Sequence, residues 1–334
     1  MLLLVPHLFP PQRLLDVAAV NLRFPALQAL LTRGRHRRDP AEGIEGAVCK
    51  ALGIARQHDW PLAPLALEAA GEAAGDGYWL RADPVHLRVM RDRIVLLAGD
   101  EIPLAQDEAD ALAAAVAAHF GAELSPRPLR PHHWYVRLAR PPALTTTALS
   151  AAIGREVDPL LPEGRDATRF RAYLNEVQML LHAHPVNLQR EARGELAINS
   201  LWFWGGGTRP APVAGPVPAL WTNAAEARAA GSFRGAQLHP VPEQFEKALL
   251  EGEGLVLLDA LIRPSQYGDV QGWREALGRL ERNWFAPLLA TLPRSPGRRV
   301  QIRDPVSGKG LDLRALDLWQ AWRRSRPLAS LLGG

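Results

Sequence analysis

Histidines are the first candidates for chemistry in this chain, because imidazole is the commonest metal ligand in proteins. Two pairs lie close in sequence, His132 with His133 and His182 with His184. The His-Ala-His spacing of the second pair directs its rings to opposite sides of an extended chain, or to an awkward angle on a helix. The pattern therefore favours histidines of the core or surface over metal ligands.

A run of three glycines, Gly205 to Gly207, could present backbone N–H groups to an anion, with Arg209 beside it. The alternative is a flexible turn, because a proline-rich stretch follows, and this composition indicates a loop or a crossing between domains. Trp202 and Trp204 lie on one side of the extended segment before the glycines. There, core packing competes with a stacking surface.

Asp259 lies inside the apolar run 255–261, which is typical of a central strand covered on both faces. An unpaired carboxylate would be costly there, so we predict a partner, which could be a metal ion, a serine or an arginine. Ser265 has no nucleophile elbow around it. The sequence also lacks a phosphate-binding loop, a dinucleotide fingerprint and a zincin helix.

The 334 residues suffice for two domains, and 47% apolar with 22% charged residues is ordinary globular composition. The single cysteine, Cys49, excludes an intramolecular disulfide and a cysteine metal cage. The net charge is only +4, and acids lie between the arginines, so we expect no nucleic-acid partner. No apolar stretch approaches the ~20 residues of a membrane span, and the first residues lack the basic start of a signal peptide. We expect a cytoplasmic protein without membrane association.

Hydrophobic spacing predicts strands and helices mixed from end to end. The predicted strands are residues 2–5, 94–97, 134–138, 199–204, 255–261 and 300–302. The predicted helices are residues 15–30, 105–120, 170–181, 273–288 with a kink near Pro287, and 313–323. Strands that alternate with helices at both ends of the chain favour an α/β sheet with helices on both faces.

The middle of the chain resembles the archaeal-type cofactor-independent phosphoglycerate mutases. The resemblance rests on His184-Pro185-Val186-Asn187, then Arg190 and Gly194, then Asn199-Ser200-Leu201-Trp202-Phe203-Trp204-Gly205-Gly206-Gly207. In those enzymes a similar His-Pro-Val-Asn stretch leads into Trp-Leu-Trp-Gly-Gln-Gly. Weaker similarity covers residues 2–33, 80–83, 99–108 and 255–289. Within this relationship the sequence most resembles the bacterial RpfE-type regulatory proteins.

The resemblance implies an alkaline-phosphatase-like α/β fold, with a core sheet covered by helices on both faces and interrupted by an inserted smaller α/β domain. The implied bounds are residues 1–83 and 199–334 for the core and 84–198 for the insertion. It also suggests a pocket for a small phosphorylated or anionic ligand, with no cofactor and an unknown protein partner. The candidate ligand-binding residues are His184, Asn187, Arg190, Trp202, Trp204, Gly205, Gly207 and Arg209.

The catalytic residues of the resembled mutases are mostly missing. Those enzymes use a covalent serine and two metal ions, which require a hydroxyl and a set of carboxylates and histidines. Here Pro6-His7-Leu8 replaces an Asp-Gly metal step, and Ile44 stands at the nucleophile. Ile262 and Gln266 replace an acid and a histidine in a later metal loop, and Asp304 has no neighbouring histidine.

We therefore predict a catalytically degenerate, regulatory relative of the mutases without phosphoryl transfer. The alternative is a metal-dependent phosphomutase or phosphatase with a site rebuilt from His7, Asp16, Asp259 and Asp269. A third possibility is a scaffold with an exposed apolar surface at Trp319 and Trp322. Their spacing on one helix face also fits core packing.

Overall fold

Residues 1–18, 22–319 and 326–333 are described in the computed structural model of the chain. Their strands are β1 Leu2–Leu4, β2 Arg35–Arg38, β3 Tyr78–Val89, β4 Ile94–Leu97, β5 Arg127–Arg130, β6 His133–Leu138, β7 Ser200–Gly207, β8 Ala219–Trp221, β9 Leu238–His239, β10 Gly254–Leu257, β11 Arg299–Arg303 and β12 Lys309–Arg314. Their α-helices are α1 Gln12–Ala18, α2 Pro25–Arg33, α3 Gly43–Ala51, α4 Leu62–Ala69, α5 Gln106–Phe120, α6 Leu149–Ala152, α7 Ala167–His182, α8 Pro185–Ala192, α9 Ala225–Phe233, α10 Ile262–Gln266, α11 Val270–Leu280, α12 Ala286–Thr291, α13 Ala315–Leu318 and α14 Leu328–Gly333. None of the helices in these residues is both long and apolar enough to cross a membrane.

Two compact units divide the chain: unit 1 is Met1–Leu52 with Ala214–Gly334, and unit 2 is Gly53–Val213. Unit 2 thus interrupts unit 1 in sequence. These bounds differ from the predicted division at residues 84 and 198. Strand β3 continues through residue 84, and its pairing with β7 joins Trp79 to Gly207 and Val85 to Ser200 within one sheet.

The sheet of unit 1 has the strand order β2-β12-β11-β1-β10-β8-β9. Strand β1 is parallel to both of its neighbours, with Leu4 opposite Leu257 of β10 and Arg303 of β11. On one face Leu3 and other buried side chains pack against α1, α2 and α11. On the other face Gly231 of α9 lies against β8 and β9.

Unit 2 is built on an antiparallel sheet in which β3 pairs with β4, β6 and β7. Its core buries Leu80, Trp134 and Phe203 from the sheet against Phe170 and Val177 of α7. The predicted fold class is confirmed: a mixed α/β core sheet with helices on both faces is interrupted by a second unit of helices and strands.

Two predicted helices are interrupted in the structure near a proline, as was expected for the second of them. In its described part, the predicted helix 15–30 corresponds to two helices, α1 and α2, and Pro25 begins α2, where its missing N–H leaves no hydrogen bond unmade. In the predicted helix 273–288, a π-helical segment, Glu281–Phe285, separates α11 from α12. Pro287 donates no hydrogen bond to the carbonyl of Asn283, which instead accepts from the N–H of Phe245 at 2.7 Å.

Within its described part, the predicted helix 313–323 is confirmed only over Ala315–Leu318 and is wrong at its start, which belongs to β12. Leu311 and Leu313 are both buried on one face of β12, an alternation of period two that belongs to a strand. The short helix α13 follows, and Trp319 after it is 66% exposed. Trp322 lies outside the described residues.

Candidate functional site

The candidate site of unit 1 is the edge where parallel strands β1, β10 and β11 end, because open α/β sheets bind ligands at the carboxyl ends of their strands. The loops after β1 and β11 contain Pro6-His7-Leu8 and Asp304. The start of α3 also belongs to this edge, since the N–H of Gly43 donates to the carbonyl of Pro305 at 3.1 Å.

Asp304 is the buried carboxylate of this edge, with 1% of its surface exposed. Its Oδ1 accepts from the N–H groups of His7 and Val306, each at 3.0 Å. Its Oδ2 accepts from the N–H of Phe9 at 3.1 Å and the hydroxyl of Ser307 at 2.9 Å. Both oxygens therefore fasten the loop after β1 to the loop after β11.

The loop after β1 has an unusual backbone at His7. Among the described residues, His7 is the non-glycine residue with a positive φ, at 60°. This left-handed conformation disfavours side chains other than glycine. It is held from two sides: the His7 N–H donates to Asp304, and its carbonyl accepts from Nε1 of Trp273 at 3.2 Å.

Ile44 lies in the first turn of α3, near the same edge, and is 8% exposed. By resemblance this is the position of a nucleophilic serine. A hydrocarbon side chain has no lone pair with which to attack phosphorus. The start of the helix thus carries buried packing in place of an attacking oxygen.

The prediction that Asp259 lies inside a buried strand is wrong. Strand β10 ends at Leu257, and Asp259 is exposed in the turn that leads to α10, where its carbonyl accepts from the N–H of Ile262 at 2.9 Å. Loss of solvent on one side still raises the pKa of its carboxyl above the ordinary value. The chain leaves the sheet two residues before the aspartate, so no buried partner is required.

The other acids of the alternative metal site have local roles. Asp269 caps α11 by accepting from the N–H of Gly272 at 2.8 Å, and Asp16 accepts from Nε2 of Gln12 at 2.6 Å. Within residues 1–18, 22–319 and 326–333, no three His, Cys, Asp or Glu side chains are placed to hold a metal ion.

In unit 2, His184 and Asn187 fasten the start of α8. Nδ1 of His184 accepts from the N–H of Val186 at 3.3 Å, and burial lowers the pKa of its imidazole. Asn187 is fully buried, and its amide donates to the carbonyls of Leu181 and Ile198 and accepts from the N–H of Ile198, each at 2.8 Å.

Arg190 is 1% exposed and is bonded within unit 2 through its whole guanidinium. Nε donates to the carbonyl of Leu196 at 2.9 Å, and the two terminal nitrogens donate to the carbonyl of Pro103 and a carboxylate oxygen of Glu108, each at 2.7 Å. Arg209 pairs with Glu68 at 2.6 Å. Both candidate arginines are thus ion-paired, and the anion pocket stays a prediction.

The two candidate tryptophans are both buried. Nε1 of Trp202 donates to the carbonyl of Thr147 at 2.8 Å. Nε1 of Trp204 donates to Asp83 at 2.7 Å, and Asp83 also accepts from Arg81 at 2.9 and 3.0 Å. The guanidinium of Arg81 lies 5.1 Å from the Trp204 ring centre, within range of a cation–π interaction.

We did not single out the Arg81–Asp83 pair from the sequence, although a signal exists. Two charged residues two positions apart in a strand share a face, and the apolar surroundings of this segment require that they pair.

The predicted loop or domain crossing is wrong at the glycine triplet but confirmed after it, because residues 208–218 contain no helix or strand and the chain passes from unit 2 to unit 1 between Val213 and Ala214. Gly205 to Gly207 form the buried end of β7. A Cβ at Gly206 would meet the hydroxyl of Tyr78, and one at Gly207 would lie 2.5 Å from Cβ of Pro61. The glycines are therefore explained by close packing within unit 2.

Comparison with known proteins finds similarity over a short stretch. No family model matches the chain. The 2,3-bisphosphoglycerate-independent phosphoglycerate mutase of Methanosarcina mazei is 39% identical over 57 residues, 17% of this chain and 14% of the relative. A probable enzyme of the same name from Geobacter sulfurreducens is 35% identical over 57 residues, again 17% and 14%. The matched stretch thus spans about a seventh of the length of these relatives.

Two solved structures can be superposed over most of the chain. A protein from Pyrococcus horikoshii has a TM-score of 0.50 at 12% identity, covering 93% of this chain and 85% of that one. The cofactor-independent phosphoglycerate mutase of Thermoplasma acidophilum has a TM-score of 0.44 at 16% identity, covering 99% and 93%. The chain therefore has a mixed α/β fold shared with the Pyrococcus protein, and over a short stretch it is homologous to cofactor-independent phosphoglycerate mutases.

Proposed function

We propose that this chain is a catalytically degenerate relative of the cofactor-independent phosphoglycerate mutases, which acts as a regulatory protein through binding rather than phosphoryl transfer. The observation that carries the proposal is Asp304. Its two oxygens hold main-chain N–H groups and a hydroxyl at the edge where metal ligands would be expected. The regulatory role rests on the resemblance to RpfE-type proteins.

Two-metal phosphoryl transfer requires groups that the described residues of this edge do not supply, which supports the proposal. Each divalent cation needs several carboxylate or imidazole ligands, and the metals must clamp the attacking and leaving oxygens. At this edge, Ile44 supplies no attacking oxygen, and Asp259 stands exposed without a cluster of acids around it among the described residues.

The test is turnover of 3-phosphoglycerate by the purified chain with added Mn²⁺, followed by ³¹P NMR. We expect no 2-phosphoglycerate above the buffer blank, while an active mutase in parallel converts the substrate. Conversion that scales with protein concentration and is abolished by Asp259→Asn would overturn the proposal and establish the rebuilt metal site instead. Ile44→Ala is the matched control, since it changes the same edge without removing an acid.

A further inference from the structure

Unit 1 contains a cavity of about 320 Å³ between strands β1 and β11 and helix α3. This volume is at the lower end of the roughly 300–1,000 Å³ typical of small-molecule sites. Ala47 and Ala51, one helical turn apart, line it together with Leu2 and Leu4. Because both helix residues are alanines, the space between helix and sheet stays unfilled, and these four side chains form an apolar part of its lining.

Charged groups of both signs lie around this apolar lining. Glu42 pairs with Lys50 at 3.2 Å, and Asp39 pairs with Arg303 at 3.0 Å. Asp304 also contributes to the lining, but its oxygens already hold main-chain donors. The two pairs together carry no net charge.

Arg303 lines the cavity with a side chain that is held in place by several hydrogen bonds. Besides its bond to Asp39, it donates to the carbonyls of Ile302 and Leu311 and to Asp312 at 2.6 Å, and only 16% of its side chain is exposed. A guanidinium bonded in this way has little freedom to follow a ligand.

Lys50, by contrast, has hydrogen-bond donors left to offer a ligand. Its ammonium carries three N–H groups, of which Glu42 accepts one at 3.2 Å, and 56% of the side chain is exposed. The carboxylates of Asp39 and Glu42 likewise have more lone pairs than their ion pairs use. One cation and two carboxylates with unused hydrogen-bonding capacity therefore line the same cavity.

We propose that this cavity binds a small apolar α-amino acid as its zwitterion. The ligand ammonium bonds to Asp39 and Glu42, its carboxylate bonds to Lys50, and its side chain lies on Leu2, Leu4 and the two alanines. A simple anion would meet two carboxylates, and a simple cation would meet the lysine, whereas a zwitterion satisfies both signs. The proposal goes beyond the proposed function, since it uses no lost catalytic group.

Isothermal titration of the full chain tests the ligand class, with L-leucine, L-isoleucine and L-phenylalanine as probes. The controls are 4-methylpentanoate, which lacks the ammonium of leucine, and 3-methylbutylamine, which lacks the carboxylate. We expect one saturable site for at least one amino acid, and binding of each leucine analogue weaker than that of leucine by about tenfold or more. Equal binding of either analogue overturns the zwitterion assignment, and no saturable binding of any amino acid overturns the site.

Two variants locate the binding. Ala47→Leu fills the cavity, so it should abolish the amino-acid heat while leaving the urea midpoint equal or higher; Ala118→Leu, at an exposed alanine of α5, should bind as wild type. Lys50→Met removes the ammonium from the same site and keeps an unbranched side chain there. It should weaken binding by about tenfold or more, whereas Lys247→Met, at another exposed lysine, should not. Unchanged binding in Lys50→Met overturns the proposal.

Discussion

Two buried carboxylates, Asp83 in unit 2 and Asp304 in unit 1, have their negative charges stabilised by different kinds of partner. Each is at most 1% exposed. Asp83 is paired with the guanidinium of Arg81 and also accepts from Trp204 and from the N–H of Trp134. Asp304 accepts hydrogen bonds from main-chain N–H groups and from the hydroxyl of Ser307. One negative charge is balanced by a cation, the other by oriented dipoles.

The residues that carry the resemblance to the mutases lie in unit 2, whereas the edge at which catalytic groups were expected lies in unit 1. Trp204, a residue of the mutase-like motif, belongs to the Arg81–Asp83 network, and Asn187 and Arg190 of the same motif bind carbonyls of unit 2. The motif therefore describes how unit 2 packs. At the edge of the unit 1 sheet, Asp304 closes loops and Ile44 fills space.

The largest expected effect is that of Asp83→Ala, which leaves the buried Arg81 cation without its carboxylate. We expect a loss of about 3–5 kcal/mol in the free energy of unfolding, measured with urea. Replacing both residues, Arg81→Met with Asp83→Leu, should be less harmful than Asp83→Ala alone. If Asp83→Ala lowers the free energy of unfolding by less than about 1 kcal/mol, the buried ion pair does not contribute as proposed.

Asp304→Ala should cost less, about 2–3 kcal/mol, because the orphaned partners are neutral N–H groups and a hydroxyl rather than a charge. The same urea experiment measures it. Asp259→Ala, at an exposed acid near the same edge, is the matched control and should stay within about 0.5 kcal/mol of wild type. Equal effects of the two substitutions would contradict the loop-fastening role of Asp304.

Ile44→Ser restores a hydroxyl at the start of α3 at the expense of a buried side chain. We expect a loss of about 1–2 kcal/mol of unfolding free energy and no Mn²⁺-dependent hydrolysis of p-nitrophenyl phosphate, since no cluster of metal-binding side chains lies among the described residues. Manganese-dependent hydrolysis in the variant would show that the edge differs from an active one by this group alone.

The smallest change in stability is expected from the titration of a third buried carboxylate, Asp59. Burial raises the pKa of its carboxyl, opposed by hydrogen bonds from the N–H and hydroxyl of Thr146. The folded state therefore holds this proton more tightly than the unfolded state, and the associated stability declines as pH rises from the ordinary carboxyl pKa through the raised one. In urea unfolding from about pH 4 to about pH 8, wild type should lose stability relative to Asp59→Asn. A constant difference would contradict this assignment.

Elements with a clean period were predictable from the sequence. The apolar spacing in β1, α5 and α7 depends only on residues within each element, and all three lie where predicted. The prediction of a loop at the glycine triplet was wrong because glycine is a local turn signal. The residues that leave no room for a Cβ there, Tyr78 and Pro61, lie more than a hundred positions away in sequence.

The roles of the candidate residues were harder to predict than their identity. Arg190 donates to the carbonyls of Leu196 and Pro103, which any residue type at those positions would present. Asp304 accepts from main-chain groups such as the N–H of His7, 297 positions away. Because main-chain partners leave no mark in a sequence, both residues resemble free ligand-binding groups until the fold is known.

Metal content tests the central claim most directly. The full chain is incubated with Mn²⁺ and Zn²⁺, dialysed, and analysed for bound metal by plasma mass spectrometry, with an active two-metal mutase treated in parallel. The account predicts less than about one tenth of an ion per chain, because the oxygens of Asp304 already hold the loops after β1 and β11 and Asp269 caps α11. About two tightly held ions per chain would contradict it.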